Sequence, residues 1–240
     1  MNSAELVREA WLEATAEYDS IPFFSAIANG NFTANHYAML LREIYHNTHE
    51  NPEAFARMTG LLRGDQRKLN KKILRHSWQE SGHDQMALDD LARLGYDPGA
   101  ARDGRALWAT EAFTAFTSFQ MERRNPLAFL GYVYHLENVA TSWGPKLGRC
   151  LHSLGIRPEA MSFLMEHSEA DITHVKFNEE YFRELVTQEK DLEDVLYGLR
   201  GAVRLYSLML QSVIDAVDQG WPEWRALDGT FRKTAVPTCP

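Results

Sequence analysis

The sequence predicts an all-α protein that folds as a single bundle of about seven helices. Apolar residues recur at the three- and four-residue spacing of amphipathic helices along most of the chain, and no alternating β-branched run bounded by turn dipeptides is found. No segment is rich enough in Gly, Ser or Pro to act as an interdomain linker. We therefore expect one domain over residues 1–225 and an irregular C-terminal tail over residues 226–240.

Turn and cap residues set the expected helix ends. Ile21 precedes a proline and so avoids helical backbone, while Thr33 can cap the helix that follows it. Pro52 is expected to kink that helix, and Pro126 suits the first turn of a later one. The predicted helices cover about 3–18, 22–30, 34–62, 66–95, 104–122, 126–154, a segment around His167, and 191–219.

Bulk properties exclude several classes of protein. The formal charge of −8 argues against a nucleic-acid surface, where a basic face is expected. No apolar run reaches the roughly 18 residues of a membrane span, and the acidic, amphipathic N-terminus is unlike a signal peptide. Cys150 and Cys239 are too few and too distant for a disulfide framework, so a reducing cytoplasm is the expected location.

The most informative motif is a trio of potential metal ligands in MEHSEADITHVKF. His167, Asp171 and His174 are spaced by four and three residues, which places them on one face of a helix. Imidazole nitrogens and carboxylate oxygens together suit a divalent transition metal. Apolar neighbours such as Phe163 and Val175 indicate that this helix faces the core, where an unpaired carboxylate would be costly. The trio therefore predicts half of a metal site.

A second group of ligands lies in HSWQESGHD. Glu80 and His83 are three residues apart, and His76 is seven residues before His83, so all three can share one helical face. Glu-x-x-His alone is a weak signal. His76 could be a ligand in place of Glu80, or a partner that orients it.

Glu137 is the most informative single carboxylate, because it interrupts an apolar helix in YVYHLENVA. A buried hydrogen bond to a Tyr or Trp is the structural alternative to a metal. His135 projects roughly 160° away from Glu137 around a regular helix, so it is not expected at the same site. Inward-facing Glu and Glu-x-x-His groups on several helices are how bundles build di-iron or di-manganese sites.

The helix after Thr33 and several cations supply weaker candidates. The helix contains Glu43, Tyr45, His46 and His49, which could be further ligands, hydrogen-bond partners of ligands or substrate contacts, although structural or solvated roles are the expected default. The cations are Arg42, Lys146 and Arg204, which could pair with an anionic substrate, although solvation at the surface is the expected default.

Taken in order, these motifs resemble those of the heme-oxygenase-like di-iron oxidases. HSWQESGHD is followed after about 55 residues by YVYHLENVA, and about 30 residues later by His-x-x-x-Asp-x-x-His. The group overlaps the iron-containing redox enzyme family, with relatives among TenA-like thiaminases and the pyrroloquinoline-quinone synthase. The resemblance covers about residues 20–190. Its pattern matches His83, Glu137, His167, Asp171 and His174, and leaves His76 and Glu80 both as candidates for the sixth ligand.

The resemblance implies a heme-oxygenase-like bundle and two iron ions that activate O2. It implies oxidation of a small carboxylate-bearing substrate, an amino acid or a fatty acid, by N-oxygenation, C–C cleavage or decarboxylation. An external electron donor and a homodimer are compatible with it. Within that centre Glu137, from the apolar helix, is our choice for the carboxylate that bridges the two ions.

Other classes remain open on the sequence alone. A cofactor-free oxidase like the quinone synthase would use His and Tyr without metal, which six suitably spaced ligands argue against. A TenA-like hydrolase would need a pocket cysteine, and Cys150 has no evident activating partner. Heme oxygenase would need a proximal His near the N-terminus, for which His36 is a poor candidate. A binding module would hold no metal.

Overall fold

The computed structural model describes residues 2–224 and Leu227, without the side chains of residues 168–173. Those residues form an all-α structure with no β-strand, as predicted. They contain eleven α-helices, more than the seven or so expected, together with three short 3-10 segments. The helices are α1 (Ser3–Ala14), α2 (Pro22–Ala28), α3 (Ala34–Thr48), α4 (Asn51–Leu61), α5 (Asn70–Glu80), α6 (His83–Arg93), α7 (Pro98–Asp103), α8 (Trp108–Arg123), α9 (Ala128–Ser153), α10 (Ser162–Leu185) and α11 (Glu189–Asp218).

The larger helix count arises because two predicted long helices are each divided and because the short helix α7 was not predicted. Pro52 does not kink a continuous helix; it lies in the first turn of α4, where its missing N–H costs nothing. The helix expected over residues 66–95 is interrupted at Gly82, whose φ of 93° is left-handed and suits glycine alone. That turn separates Glu80, the last residue of α5, from His83, the first residue of α6.

Other helix ends follow the sequence. The Thr33 side chain caps α3 by accepting a hydrogen bond from the His36 amide. Asn125 accepts the amide of Leu127 through its side chain just before α9 begins. Helix α9 then runs through Pro145 without ending. The predicted tail over 226–240 lies outside the described residues except for Leu227, and the single domain over 1–225 stays a prediction.

Helix α9 lies at the centre of the bundle and packs against both α10 and α11. Its contact with α11 depends on two glycines. A Cβ on Gly131 would lie 2.5 Å from the Val195 carbonyl oxygen, and a Cβ on Gly198 would lie 2.5 Å from that of Ala128. The two backbones therefore meet directly, and α9, which carries Glu137, has its position set by this contact.

Among the described residues, no helix combines the length and apolar composition needed to cross a bilayer.

Candidate metal centre

Four helices bring the predicted ligands of three distant segments to one place. Helix α5 supplies His76 and Glu80, and α6 supplies His83 at its first position. Helix α9 supplies Glu137, and α10 supplies His167 and His174. The side chain of Asp171, the remaining predicted ligand, lies outside the described residues.

One group of ligand atoms is centred on His76, His174 and Glu80, which lie within 4.8 Å of one another. The His76 Nε2 atom is 3.6 Å from Glu80 Oε1 and 3.2 Å from Glu137 Oε1. The His174 Nδ1 atom is 3.3 Å from Glu80 Oε1 and 4.0 Å from Glu137 Oε1. Two imidazoles and two carboxylates therefore converge on one point.

The second group consists of Glu80, His83 and His167, whose ligand atoms also lie within 4.8 Å of one another. The other oxygen of Glu80, Oε2, is 3.2 Å from His83 Nδ1. The His83 and His167 rings have their centroids 4.6 Å apart. Glu80 thus belongs to both groups, and its two oxygens face different ones.

His76 and Glu80, which the sequence offered as alternatives, are both present at the centre. They are four residues apart on α5, so one helical face presents both. Among the described ligand atoms, Glu80 is common to both groups, and Glu137 lies near His76 and His174 of the first.

The donor set fits divalent iron. Imidazole and carboxylate ligands about 2.1 Å from an ion lie within about 4.2 Å of one another, close to the spacing of both groups. The buried carboxylates also attract positive charge. Burial opposes the charged form of His76, but hydrogen bonds with Glu137 and Glu80 outweigh it and raise the pKa of His76 to about 9.

Burial and neighbouring charged groups also set the pKa values of three other candidate ligands. Burial would raise the pKa of Glu80, but hydrogen bonds with His76 and His83 outweigh it and hold that pKa well below its usual range. Burial, reinforced by the neighbouring His83, lowers the pKa of His167 to about 4. Burial and the charge of His76 lower the pKa of His174. Glu80 is therefore charged and His167 neutral, which are the forms that bind metals.

A hydrogen bond fixes which nitrogen His167 can offer. Its Nδ1 lies 2.8 Å from the carbonyl oxygen of Phe163, one turn earlier on α10. A carbonyl only accepts, so Nδ1 carries the proton and the Nε2 lone pair is available. Such a bond to the ring nitrogen away from the metal is the usual way to orient a histidine ligand.

Two further residues on α10 were not singled out from the sequence. Asn178 is fully buried and donates its amide to Glu137, which orients that carboxylate. Tyr181, also fully buried, has its ring centroid 6.2 Å from that of His76. Asn178 and Tyr181 follow His174 by four and seven residues and so share its helical face. This spacing is visible in the sequence and could have identified both residues.

The α3 candidates are directed away from the centre, and none of them belongs to either ligand group. Glu43 is buried against Arg42, and its Oε2 accepts the amide of Leu107 at 3.0 Å. The Tyr45 ring stacks on that of His49, with centroids 5.3 Å apart, and meets the His46 ring edge-on. These ring contacts lie within a single turn of the α3 region.

An apolar cavity of about 120 Å³ adjoins the centre. Glu80, Glu137 and His167 reach its wall, as does a polar patch where the Tyr132 hydroxyl lies 3.0 Å from Asn51 Oδ1. The cavity follows α3 for about three turns, or about 16 Å. The α3 residues that line it are Tyr37, Leu40, Leu41, Ile44, Asn47 and Thr48, and aromatic residues on other elements are Phe23, Phe24, Phe55, Trp143, Phe163 and Tyr206.

No lysine or arginine is among the described residues that line this cavity. Arg42 is buried against Glu43, Lys146 pairs with Asp19 at 2.7 Å, and Arg204 is exposed on α11. The three cations considered for substrate binding therefore lie elsewhere. Cys150 and His36 do not line the cavity either; His36 Nε2 lies 3.0 Å from Asp218.

His135 has a structural role on the opposite side of α9, as its position predicts. Its Nδ1 accepts the Trp11 indole N–H at 3.2 Å, so its Nε2 carries the proton toward the Tyr18 hydroxyl, also at 3.2 Å. Tyr18 in turn donates to the Val203 carbonyl. Burial lowers the pKa of His135 to about 3, which keeps the ring neutral.

We expect His135→Ala to destabilise the fold by about 2 kcal/mol, because it leaves the buried Trp11 donor unsatisfied and opens a cavity. Iron binding should be unchanged per folded chain. Urea denaturation and iron titration measure the two effects. His152→Ala, an exposed position on the same helix, is the control and should change stability by less than about 0.5 kcal/mol. Loss of iron by folded His135→Ala would contradict the assignment.

Comparisons with known proteins bear on the family and the fold. The family model of the iron-containing redox enzymes matches residues 38–207. A crystal structure from Shewanella denitrificans, titled as a domain of unknown function with a heme oxygenase-like fold, is 26% identical with a TM-score of 0.79, covering 91% of this chain and 93% of that one. A TenA homolog from Pseudomonas syringae is 13% identical with a TM-score of 0.74, covering 89% and 93%, which shows the fold alone. No curated protein matches significantly.

These matches confirm the resemblance drawn from the three motifs. The matched range includes every predicted ligand, from His76 to His174. The protein has the heme-oxygenase-like fold, and the chain belongs to the iron-containing redox enzyme family.

Proposed function

We propose that the protein is an O2-dependent di-iron oxidase that acts on a small carboxylate-bearing substrate with an apolar chain. The observation that carries the proposal is the sharing of Glu80 by two groups of ligand atoms beside an apolar cavity. Six described side chains would hold two ions: His76, Glu80, His83, Glu137, His167 and His174.

Two ferrous ions in these groups would supply the electrons with which dioxygen is activated. The chain contributes position and charge. Glu80 would bridge the groups, while Asn178 and the Phe163 carbonyl hold Glu137 and His167 in their binding orientations. The carboxylates balance the charge of the bound ions. The apolar wall excludes water from the reacting atoms.

The cavity favours a fatty acid over an amino acid. An amino acid would bring an ammonium group as well as a carboxylate into a space lined mainly by aliphatic and aromatic side chains. An unpaired buried charge costs several kcal/mol. A fatty acid has one charged end, which the metal centre accommodates, and a chain that the elongated cavity can bury at about 0.8 kcal/mol per CH₂.

The experiment is O2 uptake by protein loaded anaerobically with ferrous iron, with added acids. We expect uptake that requires iron and is stimulated by medium-chain fatty acids, with amino acids inactive. Absence of iron-dependent uptake would contradict the oxidase. Stimulation by amino acids alone would contradict the substrate class. The zinc-loaded protein is the control, because zinc occupies similar ligands and has no redox chemistry.

We expect Ala140→Trp to block the reaction without disturbing the metal. Ala140 lines the cavity one turn after Glu137, and an indole there would fill the space that the substrate chain needs. Fatty-acid-stimulated O2 uptake should fall at least tenfold, about 1.4 kcal/mol, with iron stoichiometry unchanged. Ser142→Trp, exposed on the same helix, is the control and should keep full stimulation. Undiminished stimulation in Ala140→Trp would show that substrate binds elsewhere.

A further inference from the structure

The outer face of α5 is basic and apolar in a chain of net charge −8. Lys71, Leu74, Arg75 and Trp78 are all exposed, and their spacings of three, four and seven residues place them in one row. We refer to these four residues as the α5 outer row. Arg67, exposed just before the helix, adds a further cation at its N-terminal end.

The cations of this row are not neutralised by described neighbours. Two nearby lysines outside the row are neutralised by ion pairs: Lys68 pairs with Glu184 at 2.6 Å, and Lys72 pairs with Glu180. Lys71 and Arg75 form no ion pair with any residue whose side chain is described, and the same holds for Arg67. The face therefore presents local positive charge to the solvent.

Trp78 ends the row beside the metal centre. It is 75% exposed, an unusual state for so large an apolar side chain. A surface hollow of about 360 Å³ joins it to two of the ligands, since Trp78, His83 and His174 all line that hollow. The other described residues that line the hollow are Gln79, Ser81 and Glu166.

Helix α5 therefore carries both the exposed row and two of the candidate metal ligands. Its outer side carries the exposed row, while its inner side carries the ligands His76 and Glu80. An electron carrier seated on the row would be separated from the bound ions by one helix and the hollow. Exposed Trp and Arg side chains are also the types that dominate binding energy at protein interfaces.

We propose that the α5 outer row is the docking surface for an acidic one-electron carrier protein. The inference rests on the proposed di-iron function. Each docked carrier gives up one electron and leaves oxidised by one unit, so two successive carriers reduce two ferric ions to two ferrous ions. The positive row attracts an acidic partner to this face of a chain whose net charge is −8.

A second copy of this chain fits the row less well. A two-fold interface places the same patch on both subunits, so Lys71 and Arg75 would face their own copies. Like charges facing each other are unfavourable unless acidic groups intervene. The charge of the row thus favours an acidic partner.

The first test is binding, which needs no iron. Metal-free protein is titrated with an acidic [2Fe–2S] ferredoxin in a calorimeter at several salt concentrations. The variant carries Lys71→Glu and Arg75→Glu. We expect at least tenfold weaker binding and a shallower salt dependence for the variant. The control carries Arg200→Glu and Arg204→Glu, two exposed cations with the same four-residue spacing on α11, and should bind as the wild type does.

The second test is electron transfer. Oxidised, iron-loaded Trp78→Ala is mixed with reduced ferredoxin and, separately, with dithionite. We expect reduction by ferredoxin to slow at least tenfold and reduction by dithionite to stay unchanged, since dithionite needs no docking surface.

Equal effects of the α5 and α11 charge reversals, or no effect of either, would overturn the proposal. A change from dimer to monomer in the Lys71→Glu, Arg75→Glu variant would overturn it too, by assigning the row to a subunit contact. Failure of the proposed di-iron function would give a different result, because iron-loaded protein reduced with dithionite would then consume no O2. Ferredoxin takes no part in that measurement.

Discussion

Replacing Glu80 by alanine is expected to abolish binding of both metal ions. Glu80 is the one residue shared by the two groups of described ligand atoms, and its two oxygens face different groups. Its loss leaves His76 and His174 on one side and His83 and His167 on the other. We expect iron affinity to fall by more than about 100-fold, because losing a group that only orients a ligand already costs 10–100-fold.

Single-histidine variants distinguish sharing from a general loss of structure. His83→Ala removes a ligand from one group only, so one ion per chain should remain bound. Glu166→Ala removes an exposed carboxylate beside the hollow and should keep both ions. Anaerobic ferrous iron titration gives the stoichiometry, and circular dichroism verifies folding. If Glu80→Ala still binds two ions, the shared role of Glu80 is wrong.

Gly198→Ala is expected to destabilise the fold by about 3 kcal/mol or more. The added Cβ would lie 2.5 Å from the Ala128 carbonyl oxygen and 3.2 Å from the carbonyl carbon, and backbone atoms of a packed helix cannot move aside as a side chain can. Helices α9 and α11 must separate to relieve the overlap. Because α9 carries Glu137, iron affinity should fall together with stability.

Gly60→Ala is the matched control for that variant. Gly60 lies within α4, and an added Cβ there has no atom within 4 Å. Alanine costs less conformational entropy in a helix, so stability should rise by up to about 1 kcal/mol. Urea denaturation compares the two variants. A Gly198→Ala protein as stable as the wild type would contradict the close backbone contact.

The fold class could be read from the sequence because helical periodicity and cap residues are local signals. Thr33 acts at the helix end where its side chain predicts a cap. One reason that the helix count was too low is that Gly82 breaks a pattern that stays periodic on both sides of it. Local periodicity gives no measure of how far the chain turns at such a residue.

The candidate ligands were predictable for a related reason. Several titratable residues share one helical face with apolar neighbours, as His76 and Glu80 do on α5 and His174 does on α10. Which carboxylate both groups share depends on how the helices are arranged, and no local pattern in the sequence distinguishes Glu80 from Glu137 for that position. Glu80 is common to the two groups of described ligand atoms.

The α3 candidates show the opposite error. Glu43 has a ligand-type side chain in a core-facing helix, yet Arg42 and the Leu107 amide hold it away from the metal centre. Residue type and helical face could not reveal those partners, which come from the preceding residue and from a segment more than sixty positions further along the chain.

The most direct test of the central claim is a crystal structure of the protein loaded anaerobically with ferrous iron, with anomalous diffraction measured at the iron edge. We predict two iron peaks per chain, one among His76, Glu80, Glu137 and His174 and one among Glu80, His83 and His167, with Glu80 bound to both. A single peak, or two peaks without Glu80 between them, would contradict the di-iron centre described above.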